Sequence, residues 1–196
     1  MMLRTAFLLV LCGMAGRAED LLVAAAADLG PLTANLDKGF EAVSHIKVRF
    51  TLESSGSLAK QIENGAPYDV FLSADERHIR QLVSAGHLEP NTLVYAVGRL
   101  GLWSKDGRVK SCADLKNPDI KHVAIANPEH APYGMAARKA LETQGIWRDL
   151  QPKIVYGENV RQAMQFAESG NADAVITSWT LLIGRGILLP SEWHDP

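Results

Sequence analysis

The chain of 196 residues has only two cysteines, Cys12 and Cys112. Cys12 lies in an apolar stretch that reads as a cleaved leader, so the mature chain has no partner for Cys112 and no intrachain disulfide. No basic run occurs among 20 basic and 22 acidic residues, which argues against a nucleic-acid partner. After the leader no apolar run is long enough to cross a bilayer as a helix. Catalytic signatures are missing as well. There is no G-x-S-x-G elbow, no G-K-[ST] ending of a phosphate loop, and no C-x-x-C or H-x-x-E-H spacing for zinc. No repeats or low-complexity tracts appear.

What is present begins with an export signal. Arg4 supplies a positive start, "TAFLLVLCGMAG" a short apolar stretch, and Gly16 and Ala18 the small residues of a cleavage site. Cleavage after Ala18 removes Arg4 and Arg17, leaving 18 basic against 22 acidic residues, a net charge of −4. Leu11 before Cys12 is not small, which argues against lipidation. A periplasmic destination follows.

Beyond the leader, strand and helix patterns alternate. Residues 20–28 read as a buried strand, then a helix with Leu29, Leu32, Leu36 and Phe40 close to one face. Residues 46–52 alternate as a strand, 58–64 form a helix ended by Gly65, and 68–75 are a buried strand before a helix stopped by Gly86. This β-α-β-α-β-α order predicts an α/β fold with a parallel sheet. A β-rich run over residues 92–105 suits a crossing into another lobe. A second α/β unit follows: a short helix at "CADLKNP", a strand at "HVAIANP", a helix from Tyr133, strands at "KIVYGE" and "ADAVITSW", and a helix at "NVRQAMQFAESG" between them. Two lobes with a cleft at the carboxyl ends of their strands are expected.

Four strand-to-helix junctions stand out: Ala27-Asp28, Ser54-Ser55-Gly56-Ser57, Tyr133-Gly134 and Asn159-Val160. One serine suffices as a cap. Three serines with a glycine add hydroxyl donors beside unpaired amides at the positive end of a helix dipole, which suits a small anion.

The stretches "AAAADL", "SSGSLAKQIENGAPYDVFLSAD", "ANPEHAPYG" and "YGENVRQAMQFAESGNADA" resemble the motifs of the periplasmic molybdate-binding proteins of ABC importers, over residues 21–196. The resemblance implies a two-lobed periplasmic-binding-protein fold of type II, closing on molybdate or tungstate as its ligand. It implies a lobe at 19–97, another at 98–182, and a segment 183–196 turning back toward the first. Family members usually continue for a few tens of residues further, so that return is expected to be short. The resemblance marks Asp28, Ser55, Tyr133 and Val160 as ligand-binding, with Ala27 and Ser178 as further candidates. It implies no enzyme activity, no catalytic residue, no cofactor and no cation site. Its partners would be the oxyanion and an ABC permease, with the protein a monomer.

Two roles are open to Asp28. It can cap the helix behind it while its backbone faces the ligand, or its carboxylate can accept a proton from a ligand such as hydrogen phosphate. Sulfate and phosphate are the alternative oxyanions. A serine hydrolase would use Ser55 or Ser57 with one of His78, His87, His122, His130 or His194 as base, but no motif fixes that partner.

Overall fold

Leu21–Ala26 form β1, the middle strand of a three-stranded sheet in the computed structural model, which describes residues 20–193. The export-signal reading and His194 lie outside the described residues. β1 is an apolar run because a strand covered on both faces has no polar side, and its residues 23–26 are buried. β2 (Val48–Glu53) and β3 (Val70–Leu72) flank it, both parallel, in the order β2-β1-β3. After β1 a 3-10 turn spans Ala27–Leu32, and α1 (Thr33–Ser44) begins only beyond Pro31, which has no amide to give an α-helical bond. α2 (Ser55–Glu63) follows β2, and α3 (Glu76–Ser84), capped by Asp75, follows β3.

The apolar face of the helix predicted after β1 is covered at only one end. Leu29 is buried, whereas Leu32, Leu36 and Phe40 are 39%, 44% and 39% exposed, and no residue of α1 is buried. A sheet of three strands is too narrow to cover that face.

The second half is built on β4 (Leu100–Trp103), β5 (Val123–Ala126), β6 (Ile154–Gly157), β7 (Ala174–Ser178) and β8 (Ile187–Leu188), in the order β6-β5-β7-β4-β8. β5 is parallel to β6 and β7, while β4 runs antiparallel to β7 and β8. α4 (Pro132–Thr143), α5 (Trp147–Leu150) and α6 (Val160–Ser169) connect these strands. Leu100, Leu102, Leu115, Ile125, Leu141 and Ile176 form the buried centre of this half. "CADLKNP" is a 3-10 turn over Cys112–Lys116 rather than an α-helix.

Two further expectations are corrected. The β-rich run 92–105 is strand only over β4. Residues 91–99 have no ladder partner, and Leu93, Val94, Tyr95 and Val97 are exposed. The segment 183–196, expected to turn back toward the first lobe, instead supplies β8 to the second sheet. Gly101 pairs with Leu188 and Leu102 with Ile187, and the Leu189 N–H donates to Leu100 O at 3.0 Å. The edge of β4 satisfies its backbone groups in this way. Among the described residues no helix is long and apolar enough to cross a membrane.

Candidate functional site

The carboxyl ends of strands from both sheets point their following turns at one cavity of about 10 Å³, room for about one water-sized body. Ala27 and Asp28 line it after β1, Ser54 and Ser55 at the start of α2, Tyr133 at the start of α4, and Val160 at the start of α6.

The first amides of a helix have no acceptor within it. Most at this cleft are engaged by neighbours. The Ser57 N–H donates to Ser54 Oγ at 3.3 Å, the Arg161 and Gln162 N–H groups to Asn159 Oδ1 at 3.0 and 3.1 Å, and the Gly134 N–H to Ala131 O at 2.9 Å. The amides of Ser55, Tyr133 and Val160 differ: none has an acceptor among the described residues. Ser55 Oγ accepts from the Ala74 N–H at 2.9 Å, which fills one lone pair and leaves its O–H free to donate. Ser55 is fully buried, so that donor is shielded from bulk water.

Two glycines allow this convergence. A Cβ on Gly56 would come within 2.5 Å of His130 O, so only glycine lets the start of α2 approach the opposite half, where the Gly56 N–H donates to His130 O at 2.9 Å. A Cβ on Gly134 would overlap Ala126 O. That close seat against β5 fixes where the Tyr133 amide lies.

Side chains complete the closure. Tyr133 OH donates to Asp28 Oδ2 at 2.9 Å, Thr180 Oγ1 donates to Asp28 O at 2.8 Å, and Asn159 Nδ2 donates to Glu53 Oε2 at 3.2 Å. Thr177 Oγ1 donates to Val160 O at 3.2 Å, fixing that peptide from behind. Asp28 is 6% exposed, and its Oδ1 is buried with no hydrogen-bond partner. Burial pushes its carboxyl pKa up to about 6, against the opposing pull of the Tyr133 hydroxyl and its own amide. The Tyr133 hydroxyl is raised above its ordinary value by burial and then by the charge of Asp28; the Tyr95 hydroxyl, donated to Ser73 O at 3.0 Å while the rest of the residue is exposed, is pushed to about 12 by loss of water around it and by Asp28.

The structure therefore brings Ala27, Asp28, Ser55, Tyr133 and Val160 together. Ser178 stands behind the lining: it is fully buried, its Oγ pairs with Thr180 Oγ1 at 2.6 Å, and its side chain hydrogen-bonds the cavity-lining Tyr133. His130 sets its Nδ1 3.0 Å from Ser54 Oγ and its Nε2 3.5 Å from Glu158 Oε2. That pairing selects Ser54, already committed as the cap of α2, and not Ser55 or Ser57. The histidine braces the cleft. Ala74, Thr177 and Thr180 were not singled out from sequence, although each lies at or just past a strand end facing the cleft, the position where open α/β sheets gather ligand contacts. Among the described residues no group of three or more His, Cys, Asp or Glu is placed to hold a metal ion. Neutral amides with one hydroxyl can hold a small oxyanion.

The family model described as bacterial extracellular solute-binding protein matches residues 21–194. The molybdate-binding protein ModA of Rhodobacter capsulatus is 35% identical over 185 residues, 91% of this chain and 73% of that relative. ModA of Azotobacter vinelandii is 35% identical over 196 residues, 95% of this chain and 78% of the relative. The solved structure of the Azotobacter vinelandii periplasmic molybdate-binding protein superposes with a TM-score of 0.84 at 33% identity, covering 90% of this chain and 82% of that one.

Proposed function

The chain belongs to the bacterial extracellular solute-binding proteins, in the molybdate-binding ModA-like family, and from that premise we propose that it captures molybdate or tungstate between its two halves and delivers the ion to an ABC permease. The role is transport and not catalysis. The protein works as a monomer in the periplasm after loss of residues 1–18, with one lobe at 19–97 and the other from 98 onward.

One observation carries this reading: the acceptor-free amides of Ser55, Tyr133 and Val160, from both halves, line a single cavity with the Ser55 hydroxyl. A doubly negative tetrahedron exposes oxygens that accept only, and amide dipoles already fixed by helix starts need no reorganisation to meet them. In the open form the ion meets Ser55 and the turn at Ala27-Asp28. Closure then brings Tyr133 and Val160 onto its other side, and the hydrogen bonds of Tyr133 and Thr180 to Asp28 hold the lobes shut. Because the closed cavity is small, the ion enters before closure and the lobes seat around it.

A second reading, phosphate, is favoured by the partnerless Asp28 Oδ1, since a site made only of donors would leave the proton of hydrogen phosphate without an acceptor. Titration calorimetry of the mature chain with molybdate, tungstate, sulfate and phosphate tests both. Tight binding of the first two alone is expected. Heat with phosphate alone would transfer the assignment to phosphate, and turnover of an ester lost in Ser55→Ala would contradict a transport role.

A further inference from the structure

We infer that Asp28 Oδ1 holds a proton in a hydrogen bond to one ligand oxygen, so that capture of a fully ionised oxyanion takes up one proton from solution. The inference rests on the capture reading above and adds a specificity-determining residue to it.

A bare carboxylate inside a cleft made for a dianion would repel its own ligand. Asp28 lines the cavity, is more than nine-tenths buried, and already has one oxygen fixed, because Oδ2 accepts from Tyr133 OH at 2.9 Å. The backbone carbonyl of the same residue is pinned by Thr180. What remains is Oδ1, buried and without any protein partner. A protonated carboxyl has one O–H to give and a second oxygen that still accepts. The tyrosine occupies the accepting oxygen, so the O–H falls to Oδ1. This converts one of the two carboxylates lining the site into another neutral donor.

The Glu53 carboxylate favours that state and the Arg161 guanidinium opposes it. Glu53 lines the same cavity, and its Oε2 is met by Asn159 Nδ2. Tyr95 and Tyr133 are both shifted upward, in part by Asp28 itself, and stay neutral. Arg161, on α6, lies 3.3 Å from where a Cβ of Gly30 would stand, beside the turn that carries Asp28. Further out, His130 stands between Ser54 Oγ and Glu158, and Asp75 follows the cavity-lining Ala74. Burial has already moved the carboxyl up to about 6, and a dianion beside it moves it further. Between those two values binding and protonation are linked one to one. Hydrogen phosphate brings its own proton and needs none from solution.

The test is calorimetry of the mature chain with sodium molybdate at about pH 7.5, in two buffers of different ionisation heat, with affinity followed from about pH 6 to 8.5. The expected result is uptake of one proton per ion bound, and affinity falling about tenfold per pH unit in the upper range. Asp28→Asn keeps the Tyr133 acceptor and supplies a permanent N–H donor, so it is expected to bind with no proton uptake, a flat pH profile, and higher affinity than wild type near pH 8. Asp28→Ala, with neither group, is expected to be flat and weaker than Asp28→Asn. Sodium phosphate, if it binds, is expected to do so without net uptake near pH 8. Proton uptake that persists in Asp28→Asn would assign the proton elsewhere, His130 first, and overturn the inference. So would molybdate binding by wild type with no uptake and no pH slope. Failure of wild type and Asp28→Asn alike to bind any of the four oxyanions would overturn the capture reading beneath it.

Discussion

The half built on β4–β8 buries Leu100, Leu102, Leu115, Ile125, Leu141 and Ile176 to 1% exposure or less in one continuous cluster. The half built on β1–β3 has two thin clusters instead, Val23, Ala25 and Leu29 on one face and Ala59, Ile62 and Leu82 on the other, with α1 half exposed along its length. Both halves nevertheless bring the same kind of group to the cavity. The difference lies in what holds each group in place. Tyr133 and Val160 are set by their own core, through the seat of Gly134 on β5 and the Thr177 bond to Val160 O. Asp28 and Ser55 are held in large part across the cleft, by Thr180, Tyr133 and the Gly56–His130 contact. Closure thus completes the site on the thinner half.

The contrast can be broken at its strongest point first. Leu141→Ala removes a fully buried side chain from the dense half and is expected to cost about 2–5 kcal/mol in urea unfolding; a loss under about 1 kcal/mol would mean that this core is not the firmer of the two. Next in size is Asp28→Asn in the ligand-free protein. The folded carboxyl titrates near 6, against an ordinary value of 3.8. Below the ordinary value both folded and unfolded chains are protonated and nothing is lost. As pH rises through the window from 3.8 to about 6, the unfolded chain releases its proton first. Wild-type stability therefore declines, by about 3 kcal/mol at most, and levels off above that window. Asp28→Asn is expected to lack this decline and to unfold at higher temperature than wild type at neutral pH. Equal melting curves across that range would show that the carboxyl is not desolvated.

Ser55→Ala sharpens the comparison on the ligand side. Loss of one hydrogen bond to a charged group is expected to cost about 1.5–3 kcal/mol, or about ten- to a hundredfold in molybdate affinity by calorimetry. A change under about twofold would remove Ser55 from the site. The smallest effect belongs to α1. Val43, 80% exposed, is expected to tolerate Val43→Ser within about 0.5 kcal/mol, and a larger loss would reveal packing on that face.

Much of this was legible in the sequence, and the failures have physical reasons. The serine-glycine cluster after a strand marked the start of α2, and the order of strands and helices predicted the parallel ladders β2-β1-β3 and β6-β5-β7. Asp28 read as a cap or a proton acceptor; its side chain makes no cap bond in the turn Ala27–Leu32, and its burial and partnerless Oδ1 are tertiary facts that the sequence does not carry. The face of Leu32, Leu36 and Phe40 has a helical period whether or not anything covers it, so periodicity located the face and left its burial open. Residues 92–99 carry β-favouring side chains without a neighbouring strand, and a ladder needs two. Ile187–Leu188 pair with the open side of β4, a tertiary choice that no local pattern in the sequence specifies.

The central claim is that amides from both halves converge on a single dianion. A ¹⁵N–¹H correlation titration of the mature chain with molybdate tests it most directly. The account expects the amide signals of Ser55, Tyr133 and Val160 to move together to lower field and to saturate at one ion per chain. Movement confined to the amides of one half, or saturation of the three at different ion ratios, would contradict it.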